Sequence, residues 1–113
     1  MLFEFSINLE SELQRLLGTY EIVIPEIVRK ELTNLASQGH GKKQQQATAA
    51  TKLIARYPII PSIDGVVDDV LLTLSEQINA YVLTNDKTLR KRLQQQGIKT
   101  IYLRGKQKLE MDQ

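Results

Sequence analysis

The chain has 113 residues, enough for one domain with a core of its own and too few for a second. Its composition, 42% hydrophobic and 25% charged, is that of a soluble globular protein, and the absence of cysteine excludes disulfides and thiolate metal sites. The net charge of +2 hides an asymmetry: Lys87 to Lys108 holds eight basic residues and no acid, while the other seven basic residues share the rest of the chain with all thirteen acids.

In chain order, MLFEFSIN alternates Phe3, Phe5 and Ile7 with Glu4, Ser6 and Asn8, an extended pattern. Asn8 or Ser6 can cap a helix whose buried stripe is Leu9, Leu13, Leu16 and Leu17, ended by Gly18. Tyr20 to Ile24 reads as a strand. Pro25 supplies a rigid first helical position, and Ile27, Val28, Leu32 and Leu35 mark the apolar side of the next helix. Glu31 falls in that same stripe. A carboxylate there is costly to bury alone, so it either reaches out to Arg29 or Lys30 or serves a site. Gly39-His40-Gly41 is a loop holding the only histidine, which rules out a histidine cluster for zinc.

A further helix runs from Gln44 to about Tyr57, with Ala47, Ala50, Leu53, Ile54 and Tyr57 facing inward. Pro58-Ile59-Ile60-Pro61 is a short strand that its prolines confine to an edge or a strand start. Asp64-Gly65 turns the chain into a helix built on Val67, Val70, Leu71, Leu74 and Ile78. Asp68 and Asp69 sit in its first turn, where the ordinary role of an acid is to complement the helix dipole. Adjacent acids diverge by about 100°, so at most one of them can share a face with other groups.

The stretch AYVLTNDKTLRKRLQQQGIKTIYLR, Ala80 to Arg104, organises the rest. Tyr81-Val82-Leu83 suits a buried strand, Thr84-Asn85-Asp86 a turn and helix start, Leu89 and Leu93 the inner face of a basic helix, and Ile98 to Leu103 a second strand. This order makes a βαβ unit with parallel strands. Leu89 and Leu93 are expected to be buried and Arg90, Lys91 and Arg92 exposed. Beyond Arg104 there is no periodicity, and a wrapping or frayed tail is expected. The whole reads as a single domain over 1–113, a three-layer α/β/α sandwich with a mostly parallel sheet.

Chemistry is narrowed by elimination. One loop histidine and no cysteine leave no basis for the common nucleophilic triads, and GHGKK matches no phosphate-binding loop. Carboxylates remain: Glu31, Asp69 (or Asp68) and Asp86 each lie in the first half of a helix that comes after a strand. In a parallel α/β fold this puts all three at one rim. Like charges so placed call for a hard divalent cation, Mg²⁺ or Mn²⁺ rather than zinc or copper. Beside a basic face such a site can hydrolyse phosphodiesters.

The segments IPEIVRKEL, VVDDVLLTLSEQ and VLTNDKTLRKRL, in this order, resemble the PIN-domain family of metal-dependent ribonucleases. The resemblance implies an endoribonuclease acting on RNA, with Glu31, Asp69 and Asp86 as catalytic and metal-ligating acids and Asp68 as a neighbouring ligand. Thr84 stands beside the last acid, and Thr84, Lys87, Arg90, Lys91 and Arg92 are the expected RNA contacts. IYLRGKQKLE looks like the branch related to ribosomal-RNA-processing nucleases more than the toxin branch, and no antitoxin partner can be inferred.

In one respect the chain departs from the family pattern. A first strand ending in an acid, which lies in the middle of the family's sheet, is lacking, and MLFEFSIN corresponds to the segment just downstream of that strand. The expectation is that the start is truncated or the strand lost. The slot would then be filled by Leu2–Phe5, by direct pairing of the flanking strands, or by a strand from a homodimeric or other partner chain. The alternative function is a non-catalytic RNA- or protein-binding module on the same scaffold. No apolar stretch approaches membrane-spanning length, so a cytoplasmic protein is expected.

Overall fold

The structure, a computed structural model, describes residues 8–105 and 108–112. The expected stand-in strand Leu2–Phe5 therefore lies outside the described residues, as do Ser6, Lys106 and Gln107. The chain falls into two compact units: Met1–Tyr20 with Leu71–Gln113, and Glu21–Val70. No helix among the described residues is long and apolar enough to cross a membrane.

In the Glu21–Val70 unit, β1 (Ile24–Pro25) leads into α2 (Glu26–Gln38) and α3 (Gly41–Ile54), then β2 (Ile59–Ile60). The first helix of the chain, α1 (Leu9–Leu17), belongs to the other unit. β1 and β2 pair in parallel, Ile24 opposite Ile59 and Pro25 opposite Ile60, and the Ile24 amide donates to the Pro58 carbonyl at 2.9 Å. Only Ile24 of the expected Tyr20–Ile24 strand enters a ladder. Pro25 is the residue that caps α2 rather than the first inside it, and its ring offers no capping acceptor. The Ser62 hydroxyl supplies one from a distant segment, accepting from the Ile27 amide at 3.0 Å. α2 and α3 pack as a pair through a two-residue connection, and α3 brings buried Ala47 and Ala50, small enough for close approach. α3 starts at Gly41, three residues earlier than the periodicity places it. A Cβ on Gly39 would meet the Leu35 carbonyl oxygen at 2.5 Å, so the turn between α2 and α3 accepts only glycine without rearrangement.

The other unit holds α1, most of α4 (Val67–Gln77), β3 (Val82–Leu83), α5 (Lys87–Gln95), β4 (Thr100–Arg104) and β5 (Lys108–Met111). β3 pairs with β4 in parallel, as the βαβ reading requires. Leu89, Leu93, Ile101, Leu103 and Leu109 are buried together with Leu13 of α1. The described part of the tail differs from expectation: Lys108–Met111 forms β5, antiparallel to β4 with Tyr102 opposite Glu110 and Leu103 opposite Leu109. Gly105 at φ 66° allows the reversal. Periodicity fails there because Leu109 is the single fully buried residue of the strand, while its neighbours Lys108 and Glu110 are polar.

α1 is fastened to β5 by one ion pair. Arg15 Nη2 donates to the Leu109 carbonyl at 2.7 Å, and the Leu109 amide donates to Glu12 Oε1 at 2.9 Å. Glu12 and Arg15 are themselves joined at 3.0 Å, so together they present a donor and an acceptor as a neighbouring strand would. Arg15 and the Leu109 amide hold the Glu12 carboxyl below its ordinary value.

Candidate functional site

Glu31 lies in the Glu21–Val70 unit, on a single stripe of α2 comprising Ile27, Lys30, Glu31, Asn34, Leu35 and Gln38. The apolar period of α2, Ile27, Val28, Leu32 and Leu35, shares only Ile27 and Leu35 with this stripe, and of these two only Ile27 is buried. Beyond it the stripe lines an open cavity of about 480 Å³, completed by Gly39 and Val67. Glu31 is accordingly exposed, not embedded in the core. Neither expected local partner holds it, because Arg29 pairs with Glu26 and Lys30 with Asp64 at 3.7 Å. Val67 opens α4, so the first turn of α4 carries Asp68 and Asp69 from the wall of the same cavity. Asp68 is half-buried and Asp69 exposed.

Asp86 lies in the other unit, three residues beyond Leu83 and hence past the carboxyl end of β3. Its position is set by local chemistry. The Asp86 amide donates to Thr84 Oγ1 at 3.1 Å, and Asp86 Oδ1 accepts from the Leu89 amide at 3.0 Å, which makes Asp86 the N-cap of α5. Thr84 is thus engaged in shaping the turn. Asn85 reaches across to β4, its Oδ1 accepting from the Leu103 amide at 2.7 Å. The sequence marks Asn85 only as a turn residue, and nothing in its local pattern announces this long-range bond.

The basic helix divides into two kinds of residue. Lys87 and Lys91 are exposed, whereas Arg92 is half-buried and engaged by a partner. Arg90 differs from its expected exposed role. Its guanidinium makes a two-pronged pair with Asp112, Nε and Nη2 each at 3.0 Å from a carboxylate oxygen, and its Cζ lies 3.7 Å over the Tyr102 ring. The Asp112 carboxylate raises the Arg90 pKa further. Arg90 therefore ties α5 to the C-terminal segment, with its donors turned towards protein rather than solvent.

The four acids provide oxygen-only donors, the chemistry that a hard divalent cation prefers, and Glu31 and Asp86 present theirs on exposed side chains. In kind, the residues fit such an ion. Among the described residues no group of three or more Asp, Glu or His side chains is placed to hold one.

Comparison with known proteins gives a consistent result. The model of the family described as "PIN like domain" matches residues 1–106. Ribonuclease VapC4 of Methanocaldococcus jannaschii is 30% identical over 113 residues, covering 96% of this chain and 86% of the relative. Ribonuclease VapC9 of Archaeoglobus fulgidus is 29% identical over 87 residues, covering 77% of this chain and 64% of the relative. Among solved structures, the PIN domain endonuclease Utp24 superposes with a TM-score of 0.78 at 23% identity, over 97% of this chain and 81% of that one.

Proposed function

Because this chain belongs to the PIN-like domain family, we propose that it is an endoribonuclease-type domain that hydrolyses RNA phosphodiester bonds with a divalent metal. The observation that carries this reading is the placement of Asp86. It is an exposed acid beyond the carboxyl end of a parallel strand, at the head of a helix that carries Lys87 and Lys91 on its solvent side. Such rims are where open α/β sheets gather ligands. The relatives named as ribonucleases support RNA as the substrate.

In this reading Mg²⁺ or Mn²⁺ is the cofactor, and the candidate oxygen ligands are Glu31 and Asp69, with Asp68 beside Asp69, in the Glu21–Val70 unit and Asp86 in the other. The metal, when bound, lowers the pKa of water and offsets charge on the leaving oxygen. The chain's own residues do the remaining work. Lys87 and Lys91 draw in the phosphate backbone, with Arg92 at the same helix and Thr84 shaping the turn that presents Asp86. Arg90 is left out of the contact set, because its donors already serve Asp112.

The experiment is cleavage of a labelled single-stranded RNA with Mn²⁺ or Mg²⁺, alongside Asp86→Asn. Products from the unaltered chain and none from the variant are expected. RNA binding that persists in EDTA and after Asp69→Asn, with no cleavage in either metal, would replace the enzyme by a binding module.

A further inference from the structure

We propose that Asn85 is a positioning residue for Asp86, a role that rests on the ribonuclease reading of the same site. In a parallel ladder the hydrogen bonds alternate regularly from strand to strand. β3 and β4 keep that alternation up to the bond from the Thr84 amide to the Ile101 carbonyl, at 2.9 Å. The next bond of an unbroken ladder would run from the Leu103 amide to the Thr84 carbonyl. Instead the Leu103 amide donates to the Asn85 side chain, Oδ1, at 2.7 Å.

The side-chain carbonyl thus takes the place of a main-chain carbonyl. β4 keeps its buried amide satisfied at Leu103, which is 8% exposed, while the other strand is released one rung early. That release lets the chain turn at Thr84, and Asp86 becomes the cap of α5 instead of a further strand residue. Without the Asn85 acceptor, a buried amide is left unpaired, at a cost that favours recapture by the nearest carbonyl. The nearest along the ladder is that of Thr84. Recapture would extend β3 by a rung and draw the turn, with Asp86, towards the sheet.

The test compares Asn85→Leu, of similar shape without an acceptor, with Asn85→Asp, which keeps one. For cleavage of single-stranded RNA with Mn²⁺, N85L is expected to lose on the order of 10²-fold in kcat, as for a misplaced catalytic group. Its KM should stay near that of the unaltered chain, since the lysine contacts remain. N85D should recover most of the loss. In parallel, amide hydrogen exchange should show lost protection at Leu89 in N85L, with Leu103 kept protected by its new acceptor, and restored protection at Leu89 in N85D. Asn85→Ala serves if N85L does not fold. A lowered melting temperature with kcat unchanged would overturn the proposal, as would equal impairment of N85L and N85D. If the unaltered chain cleaves no RNA, the ribonuclease reading fails, and exchange alone then decides the placement of Asp86. Loss at Leu89 upholds that placement, and unchanged exchange at Leu89 refutes it.

Discussion

Asp86 holds two roles that a substitution can separate. Its Oδ1 caps α5 through the Leu89 amide, and asparagine caps a helix about as well. Asp86→Asn is therefore expected to change stability by less than about 1 kcal/mol in urea denaturation while removing metal-dependent cleavage. Arg90 should show the opposite pattern. Losing its paired bonds to Asp112 and its place over Tyr102 should cost on the order of 2 kcal/mol, read by the same denaturation. Yet Arg90→Ala should leave the salt dependence of RNA binding unchanged. Replacing Lys87 and Lys91 should flatten that slope by about 0.7 per lost contact on a single strand. Asp86, Leu89 and Leu93 are legible in the sequence because a turn, a cap and a helical stripe are all encoded within a few residues. The occupation of Arg90 is not, because the acid that occupies it lies 22 positions away.

At the scale of elements, patterning locates the α2 stripe but not what the stripe faces. The apolar period does not tell a core from a cavity wall, and Glu31 is found exposed on that wall with neither Arg29 nor Lys30 as its partner. The β5 strand is illegible for a related reason, since it buries one leucine and relies on cross-strand polar pairs such as Arg104 with Glu110 at 3.0 Å. Its hold on α1 gives a pH prediction. The Glu12 carboxyl is held below its ordinary value of 4.5 by Arg15 and by the Leu109 amide. A lowered folded-state pKa stabilises above the unfolded value and is lost as pH falls through the folded one. The Glu12 clamp should therefore contribute at about pH 6 and fade below about pH 4.5. Denaturation of Glu12→Gln beside the unaltered chain should show a stability gap near neutrality that narrows in acid. The α2–α3 turn is similarly specific. Gly39→Ala forces a methyl against the Leu35 carbonyl and is expected to cost about 1–3 kcal/mol by thermal melting.

For the molecule as a whole, the α/β order, the parallel pairings and family membership are readable from three motifs in sequence, and the family model and the structural likeness agree with them. The acids are readable as residue types at helix starts. Their mutual geometry is not, because it depends on long-range packing that no local period encodes. Glu31 and the head of α4 share a cavity in one unit, and Asp86 heads α5 in the other. Whether these acids serve RNA hydrolysis is decided by one titration. Cleavage of a single-stranded RNA is measured against Mn²⁺ concentration for the unaltered chain and for Asp86→Asn, each with an EDTA control. Products are expected to rise with Mn²⁺, vanish in EDTA and be absent throughout with Asp86→Asn. Cleavage by Asp86→Asn at the unaltered rate, or RNA left intact by the unaltered chain at every Mn²⁺ concentration, would contradict that role for the acids.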